Sequence, residues 1–542
     1  MSKRSFDSPV TRPAACILAV LIALAGHAEH LDRCYPRAVP FTQSGKPPER
    51  HYGRGVPCDI RHTLLDLRLD FLREAIEGRA VHTFAPVGAP ASEIALDAGN
   101  MTIMGVRDGT GNPLAYRYDD AVLTVQFPLP LPPGEEARVE IAYRTERPGK
   151  GMHFRTPRMG YAEAETQCWT QGEAEDARYW FPCFDAPTDR AATEVIATVP
   201  EGFRAISNGV LTSQGPAEIP GHVRFHYTFA QEHPSYLVSL AAGRFSEIRA
   251  EGGGVPLFYY VLPAHEDEAK ITFAKMPQIM EFMQRRIGMN YPYAQYAQVC
   301  VADFIAGGME NTTVTTLTER TLHDAAAHLT YSSDSLLAHE LAHQWFGDYV
   351  TCRDWSQLWL NEGFATYLEL LWVEHDLGRD EFQYRSRENA RDVFQNPEAA
   401  AQPIVQPVYG VPDDLFTIRV YEKAGWVLHM LRREMGDDLF FGGIRAYLDQ
   451  HGNQPVETHD LLRVFERISG KGLEAFFDQW IYRGGFPQIE VEKEWLGSRK
   501  LAKITVRQTQ KIDAQNPPFQ FKATLAFYGA QGERRETVEL RE

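Results

Sequence analysis

The chain has 542 residues, 44% of them hydrophobic, and a formal net charge of −17. Length on that scale predicts about three or four structural units with ample apolar content for packed cores. The acidic balance, with no basic run of five or more residues, argues against nucleic-acid binding.

The N-terminus reads as a targeting segment. Lys3, Arg4 and Arg12 precede the apolar run Ala14–Ala25, and Gly26, His27 and Ala28 offer small residues for cleavage. The apolar run is about a dozen residues, short of the ~20 that span a bilayer. Residues 1–28 are expected to be a signal peptide and the protein to be exported, periplasmic or extracellular, without stable membrane insertion after cleavage. A retained N-terminal membrane anchor is the alternative. Removing Lys3, Arg4, Arg12 and Asp7 with this segment leaves about −19. Of seven cysteines, Cys16 leaves with it; an oxidising compartment permits disulfides, Cys34–Cys58 being one candidate pair, and the six remaining thiols allow fifteen pairings that the sequence does not choose among. No Cys-x-x-Cys spacing occurs, so neither a structural zinc nor a redox motif is expected there.

From residue 29 to 251 short runs alternate apolar and polar residues and break at Gly, Pro, Asn and Asp, as in Val122–Phe127, Arg138–Tyr143 and Glu194–Val199. This predicts a β-rich N-terminal domain. From 252 to 485 the period becomes helical, in Phe273–Ile287, Leu336–Gly347, Trp355–Leu377, Thr417–Met435 and Thr458–Ile468. From 486 to 542 strand patterns return in Ile489–Trp495, Leu501–Gln508 and Phe519–Tyr528.

Within the helical part lies His339-Glu340-Leu341-Ala342-His343, with Glu362 nineteen residues beyond the second histidine. Asp334 is the expected N-cap of this helix and Gly347 its stop. Residues four apart share a helix face, so both imidazoles can point at one ion. Catalytic zinc takes three protein ligands and keeps a position open. His339, His343 and Glu362 fill that requirement, and Glu340 is placed to take a proton from water. A second helix, started by Asp354 or Ser356 and ended before Gly378, carries Glu362. Seven residues on, Glu369 lies on about the same face and could accept a ligand histidine's other N–H, or simply face solvent.

His-Glu-x-x-His with a distant Glu is the gluzincin pattern, which spans endopeptidases and aminopeptidases. Gly307-Gly308-Met309-Glu310-Asn311 is similar to the Gly-Ala-Met-Glu-Asn exopeptidase motif of the zinc aminopeptidases of the aminopeptidase N type. Gly308 stands where alanine is usual, a variant shared with the leukotriene hydrolase branch. Tyr421-Glu422-Lys423-Ala424-Gly425 resembles that family's Tyr-Glu-Lys-Gly segment, and Thr170–Glu175 with Phe181–Asp185 its substrate-facing loop. The resemblance runs from about residue 60 to the C-terminus, with the motifs in family order.

The resemblance implies a multidomain α+β protein: an N-terminal β-rich domain, a thermolysin-like, mainly helical catalytic domain, and a partial C-terminal β-sandwich. The last, at about 55 residues, looks short for a complete one, and the family's large C-terminal helical domain is not in the sequence. One zinc per chain and peptide substrates are implied. Glu310 and Glu173 are expected to hold the substrate's free ammonium, and Gln171 to wall the first pocket. Gly307 and Gly308 let a peptide strand approach closely, and together with Met309 and Asn311 of the same motif they are expected to bind substrate. Tyr421 is expected to donate to the oxyanion. The implied function is a zinc-dependent aminopeptidase hydrolysing the N-terminal peptide bond of peptides with a free amino terminus. A degenerate peptide-binding scaffold of the same fold, a bifunctional epoxide hydrolase and an endopeptidase are the alternatives.

Overall fold

A computed structural model describes residues 46–499, 501–529 and 532–540. The expected signal peptide and Cys34 lie outside the described residues. Residues 58–243 are built almost wholly of strands. Arg190–Pro200 and Cys58–Asp70 lie side by side in parallel at the middle of a seven-stranded sheet. Ala75–Pro86, Ala137–Glu146 and Thr102–Asp108 extend the sheet on one side, and His222–Pro234 and Val210–Pro216 on the other, all antiparallel. Successive strand residues face opposite sides. In Cys58–Asp70 the inward set is Leu65, Leu67 and Leu69, each at most 1% exposed, between half-buried polar neighbours. This face packs with Leu96, Leu123 and Val125 of a three-stranded sheet (Ala91–Asp97, Val122–Leu131, Ala115–Tyr118) into one apolar core.

A four-stranded sheet, Arg204–Ser207, Leu240–Gly243, Gln167–Thr170 and Met152–Arg155, leads from this region towards the helices. Every residue of Gln167–Thr170 is buried, and the chain leaves that strand directly into Gln171. Gly172 then turns against the backbone of Tyr236: a Cβ there would sit 2.3 Å from the Tyr236 carbonyl oxygen.

The next sheet has five strands, ordered Ser246–Gly252, Val255–Val261, Tyr296–Val301, Val314–Thr318 and Gly308–Met309. Its first strand pairs Ser246 with Val261, so this sheet begins ahead of the boundary expected at residues 251 and 252. Gly308–Met309 forms its edge. Five helices matter for the site: α1 (Met276–Ile287), α2 (Asp334–His343), α3 (Trp359–Leu377), α4 (Arg379–Gln395) and α5 (Ala424–Met435). They are followed by α6 (Asp437–His451) and α7 (Thr458–Ser469). A second core gathers these helices around Trp345, Phe364, Leu428, Tyr447 and Phe465. Trp169, Phe229 and Tyr236 of the β-rich part belong to this core too, so the two parts share packed surface.

Several expected boundaries move. Asp334 is the first residue of α2 rather than its cap: Ser333 precedes it, and no side chain caps the helix. The Asp334 carboxylate instead pairs with Lys275 at 3.0 Å. α2 stops at His343, not Gly347, which at φ +137° donates its N–H to the Val350 carbonyl and turns the chain into Val350–Cys352. Thr417–Met435 is not one regular helix, since Arg419–Lys423 is a π-helical turn before α5. Such turns concentrate at functional sites. The C-terminal strands form two hairpins, Ile489–Leu496 with Leu501–Gln508 and Phe521–Gly529 with Gly532–Leu540. They attach through buried Phe519, whose ring lies 5.1 Å from that of Trp480. Cys58, Cys168, Cys183, Cys300 and Cys352 are buried free thiols. No helix among the described residues is long and apolar enough to cross a membrane.

Candidate active site

α2 supplies two imidazoles one turn apart, and α3 crosses it so closely that Glu362 meets both. His339 Nε2 and His343 Nε2 are 3.0 Å apart, and Glu362 Oε2 lies 3.4 and 3.3 Å from them. All three residues are buried. On its other side α3 is held against α5 by Gly363: a Cβ there would come within 2.7 Å of Ala424 Cβ, so any larger residue would part α3 from α5.

The other ring nitrogens fix the tautomers. His343 Nδ1 donates to the Phe346 carbonyl at 2.9 Å, and His339 Nδ1 faces Glu369 Oε2 at 3.3 Å. A carbonyl can only accept, so the proton of neutral His343 sits on Nδ1 and its Nε2 lone pair faces the cluster. Glu362 Oε2 is a buried acceptor with no hydrogen bond. Two neutral imidazole nitrogens and an orphaned carboxylate oxygen converging at these distances fit a divalent, zinc-type ion.

Without a cation the group charges itself from within. Burial opposes the imidazolium of His343, but Glu310 and Glu362 outweigh it and hold the imidazole at about 9. Burial disfavours the Glu362 carboxylate, yet His343 and His339 bring it down to about 2. The site therefore draws positive charge. Glu340, beside His339, is pushed up to about 8 by burial, partly offset by both histidines. A cation on its neighbours would lower it further towards an ionised base.

Glu340 rests against the sheet edge. A Cβ on Gly308 would lie 2.3 Å from Glu340 Oε1, so the alanine usual at this motif position would require another Glu340 rotamer. Gly307 closes the edge by accepting from Thr318 N at 3.0 Å. Met309 is buried, and its sulfur accepts from Gln171 Nε2 at 3.2 Å. Gln171 Nε2 also reaches the Glu173 carbonyl at 3.3 Å, and its Oε1 has no partner.

Glu173 and Glu310 come together with Glu362: one carboxylate oxygen of each lies within 4.8 Å of the others. Burial raises Glu310, and raises Glu173 well above the usual carboxylate range, helped there by Glu310, Glu362 and Glu340. Glu173 Oε1 and Glu310 Oε1 are buried without a hydrogen bond. Clustered, desolvated acids of this kind bind a cation rather than tolerate one another.

Tyr421 comes from the π-helical turn, and its hydroxyl donates to Glu362 Oε1 at 3.1 Å. Asn311 has a different place from the rest of its motif. It is fully buried, with Oδ1 accepting from Thr316 Oγ1 at 3.0 Å, and so braces the loop behind Glu310.

Three residues escaped the sequence reading. Gln344 Nε2 donates to the Glu310 carbonyl at 3.1 Å, and its Oε1 accepts from Thr313 N at 2.9 Å. It bolts the Glu310 loop to α2; its position next to His343 was the only signal. Arg190, buried in the β-rich part, donates to the Asp348 carbonyl at 2.8 Å and to Thr351 Oγ1. Asn208 Nδ2 reaches the Thr312 carbonyl at 2.7 Å. The β-rich part thus grips both segments that flank the site.

Glu369 is the residue whose effect is cleanest to measure, because it touches the ion's ligand and not the ion. Glu369→Ala is expected to weaken zinc affinity by about 10–100-fold without altering the fold, as read by competition with a zinc chelator. Unchanged affinity would make Glu369 a bystander.

The sequence profile of the Peptidase M1 N-terminal domain matches residues 49–237, and that of the Peptidase family M1 domain residues 271–480. The chain is 28% identical over 411 residues to Aminopeptidase N of Streptomyces lividans, covering 71% of this chain and 45% of that protein. It is 29% identical over 352 residues to Glutamyl aminopeptidase of Homo sapiens, covering 62% and 36%. It spans less than half the length of these curated relatives. Among solved structures, aminopeptidase A of Legionella pneumophila in complex with aspartic acid superposes with a TM-score of 0.77 at 19% identity, over 92% of this chain and 57% of that one. An M1 zinc metallopeptidase from Deinococcus radiodurans gives a TM-score of 0.68 at 24% identity, over 80% of this chain and 96% of that one. With both M1 domains matched in order over the two parts that build the site, the chain belongs to peptidase family M1.

Proposed function

We propose that the chain is a zinc-dependent aminopeptidase that hydrolyses the N-terminal peptide bond of peptides with a free amino terminus. One observation carries this reading: Glu362 belongs at once to the metal-type cluster with His339 and His343 and to the carboxylate cluster with Glu173 and Glu310. A substrate ammonium held by Glu310 and Glu173 therefore lies about one residue from the metal ligands, which restricts cleavage to the first bond. Family members bearing the names aminopeptidase N and glutamyl aminopeptidase support it, as do solved relatives that hold aspartic acid or L-arginine.

His339, His343 and Glu362 would hold the zinc, and what a bound zinc supplies is Lewis-acid polarisation of the scissile carbonyl and acidification of a water. Glu340 accepts that water's proton as it adds to the carbonyl, and returns it to the departing amine. Tyr421 donates from its hydroxyl to the oxyanion that develops on the former carbonyl oxygen, and Gly308 leaves room for the Glu340 carboxylate in its present rotamer. Glu340→Gln is expected to keep its zinc, measured by elemental analysis, while turnover falls by three orders of magnitude or so. Near-normal turnover in that variant would sink the mechanism.

Acetylating the substrate's N-terminus removes the charge that Glu310 and Glu173 require. Blocked peptides are expected to be cleaved at least about a hundredfold more slowly than free ones. Glu310→Ala should close most of that gap by slowing only the free-amine substrate. Equal rates on both peptides, with internal fragments appearing early by mass spectrometry, would indicate an endopeptidase.

The same proposal includes export. Lys3, Arg4 and Arg12 ahead of Ala14–Ala25, with Gly26–Ala28 as a cleavage site, support it. N-terminal sequencing of the native protein should begin at Glu29; an intact Met1 would overturn cleavage.

A further inference from the structure

A second cavity, of about 400 Å³, shares no residue with the site above. α4 and α6 both start at its wall, through Arg379 and Asp437, and α5 lines it through Trp426, His429, Arg432 and Arg433. With Arg387, four guanidinium groups face two carboxylates, those of Glu374 and Asp437. Asp437 is already committed to Arg432, whose Nε and Nη2 donate to it at 2.9 and 2.7 Å. Among the described residues Arg379, Arg387 and Arg433 have no carboxylate within ion-pair distance. In a chain of net charge −17 this is a local reversal of sign.

The neighbouring histidine reports the same field. His429 is held down to about 4 by burial and then by Arg432, Arg433 and Arg379, so it stays neutral and its Nδ1 meets the Tyr367 hydroxyl at 3.0 Å. The N-terminal ends of α4 and α6 add partial positive charge at the wall. Gln383 and Ser386 also line the cavity, and its apolar surface comes from Phe382, Ala390 and Trp426. Phe382 is buried at the wall, and Trp426 has its indole N–H occupied by the Ser386 carbonyl at 2.8 Å.

We propose that this cavity binds a small organic oxyanion, a phosphate or sulfonate ester with an apolar body. Arg379, Arg387 and Arg433 take the head group, since planar guanidinium forks match tetrahedral oxyanions, and Phe382 and Trp426 take the body. The volume is within the range that encloses a ligand of this size. Arg432 links the site inward: its Nη1 donates to the Tyr367 hydroxyl at 3.2 Å, on the helix that carries Glu362.

Isothermal titration of the full, zinc-loaded chain with phenyl phosphate tests this. Saturable binding at one site is expected, weaker at higher salt, and weakened tenfold or more, as an order of magnitude, in Arg379→Ala/Arg433→Ala. Both positions are exposed, so the fold should survive; Arg387→Gln, also exposed, is an independent second variant with the same expected direction. Trp426→Leu should lower affinity for phenyl phosphate and leave that for inorganic phosphate unchanged. No saturable binding up to about 10 mM, or undiminished affinity in both arginine variants, which would place the ligand elsewhere, the metal ligands included, overturns the proposal.

Discussion

Everything about the site follows from burying acids where water cannot screen them. Glu173, Glu310, Glu340 and Glu362 share one dry pocket with His339 and His343. Isolated in a low-dielectric interior, such carboxylates would either protonate or unfold the region. Positive charge resolves the conflict. A divalent ion on the histidine side does so, and under the proposed function a substrate ammonium on the Glu310 side would do the same, favouring substrates that bring a charge.

Holding like charges together demands a stiff frame, and the fold supplies it from several directions. α3 packs closely on α5 because Gly363 carries no side chain to part them. Gln344 clamps the Glu310 loop to α2, and Glu369 and Phe346 hold the two imidazoles in orientation. The β-rich part contributes the Gln171–Glu173 loop directly. Through Arg190 and Asn208 it also pins the segments on either side of the metal ligands. The pocket is therefore an interdomain structure, although its ligands sit on two consecutive helices.

The arginine-lined cavity obeys the opposite rule. Its charges are partly exposed and can rest in solvent when nothing is bound, so it costs the fold little. It depends on four helices, α3 to α6, whose side chains between Glu374 and Asp437 converge from separate turns. Nothing in their spacing announces that convergence. α4 carries few apolar residues, burying only Phe382, Ser386 and Val393, which is why its helical period did not stand out. α6 hides its Phe440, Ile444 and Tyr447 stripe behind a Gly442-Gly443 pair. Gly443 is there because Phe465 leaves no room for a Cβ.

What the sequence determined by itself is chemistry encoded within a few turns of chain. His339 and His343 share a face because of the helical period, and Glu340 is placed by adjacency. Strands such as Leu501–Gln508 announce themselves by a period of two. The Gly307–Asn311 motif and Tyr421 were legible only through resemblance to a family. Tertiary structure alone decided which acids meet, that Asn311 Oδ1 accepts from Thr316 behind Glu310, and that Tyr421 reaches Glu362 from a π-helical turn rather than a regular helix. It also set the start of α2, since Asp334 found Lys275 across space, whereas α2 ends in a local turn that Gly347 closes onto Val350 three residues on. Local periodicity is set by neighbours along the chain. Carboxylate clusters and cavities are set by contacts between residues tens to hundreds of positions apart, and no short window of sequence contains them.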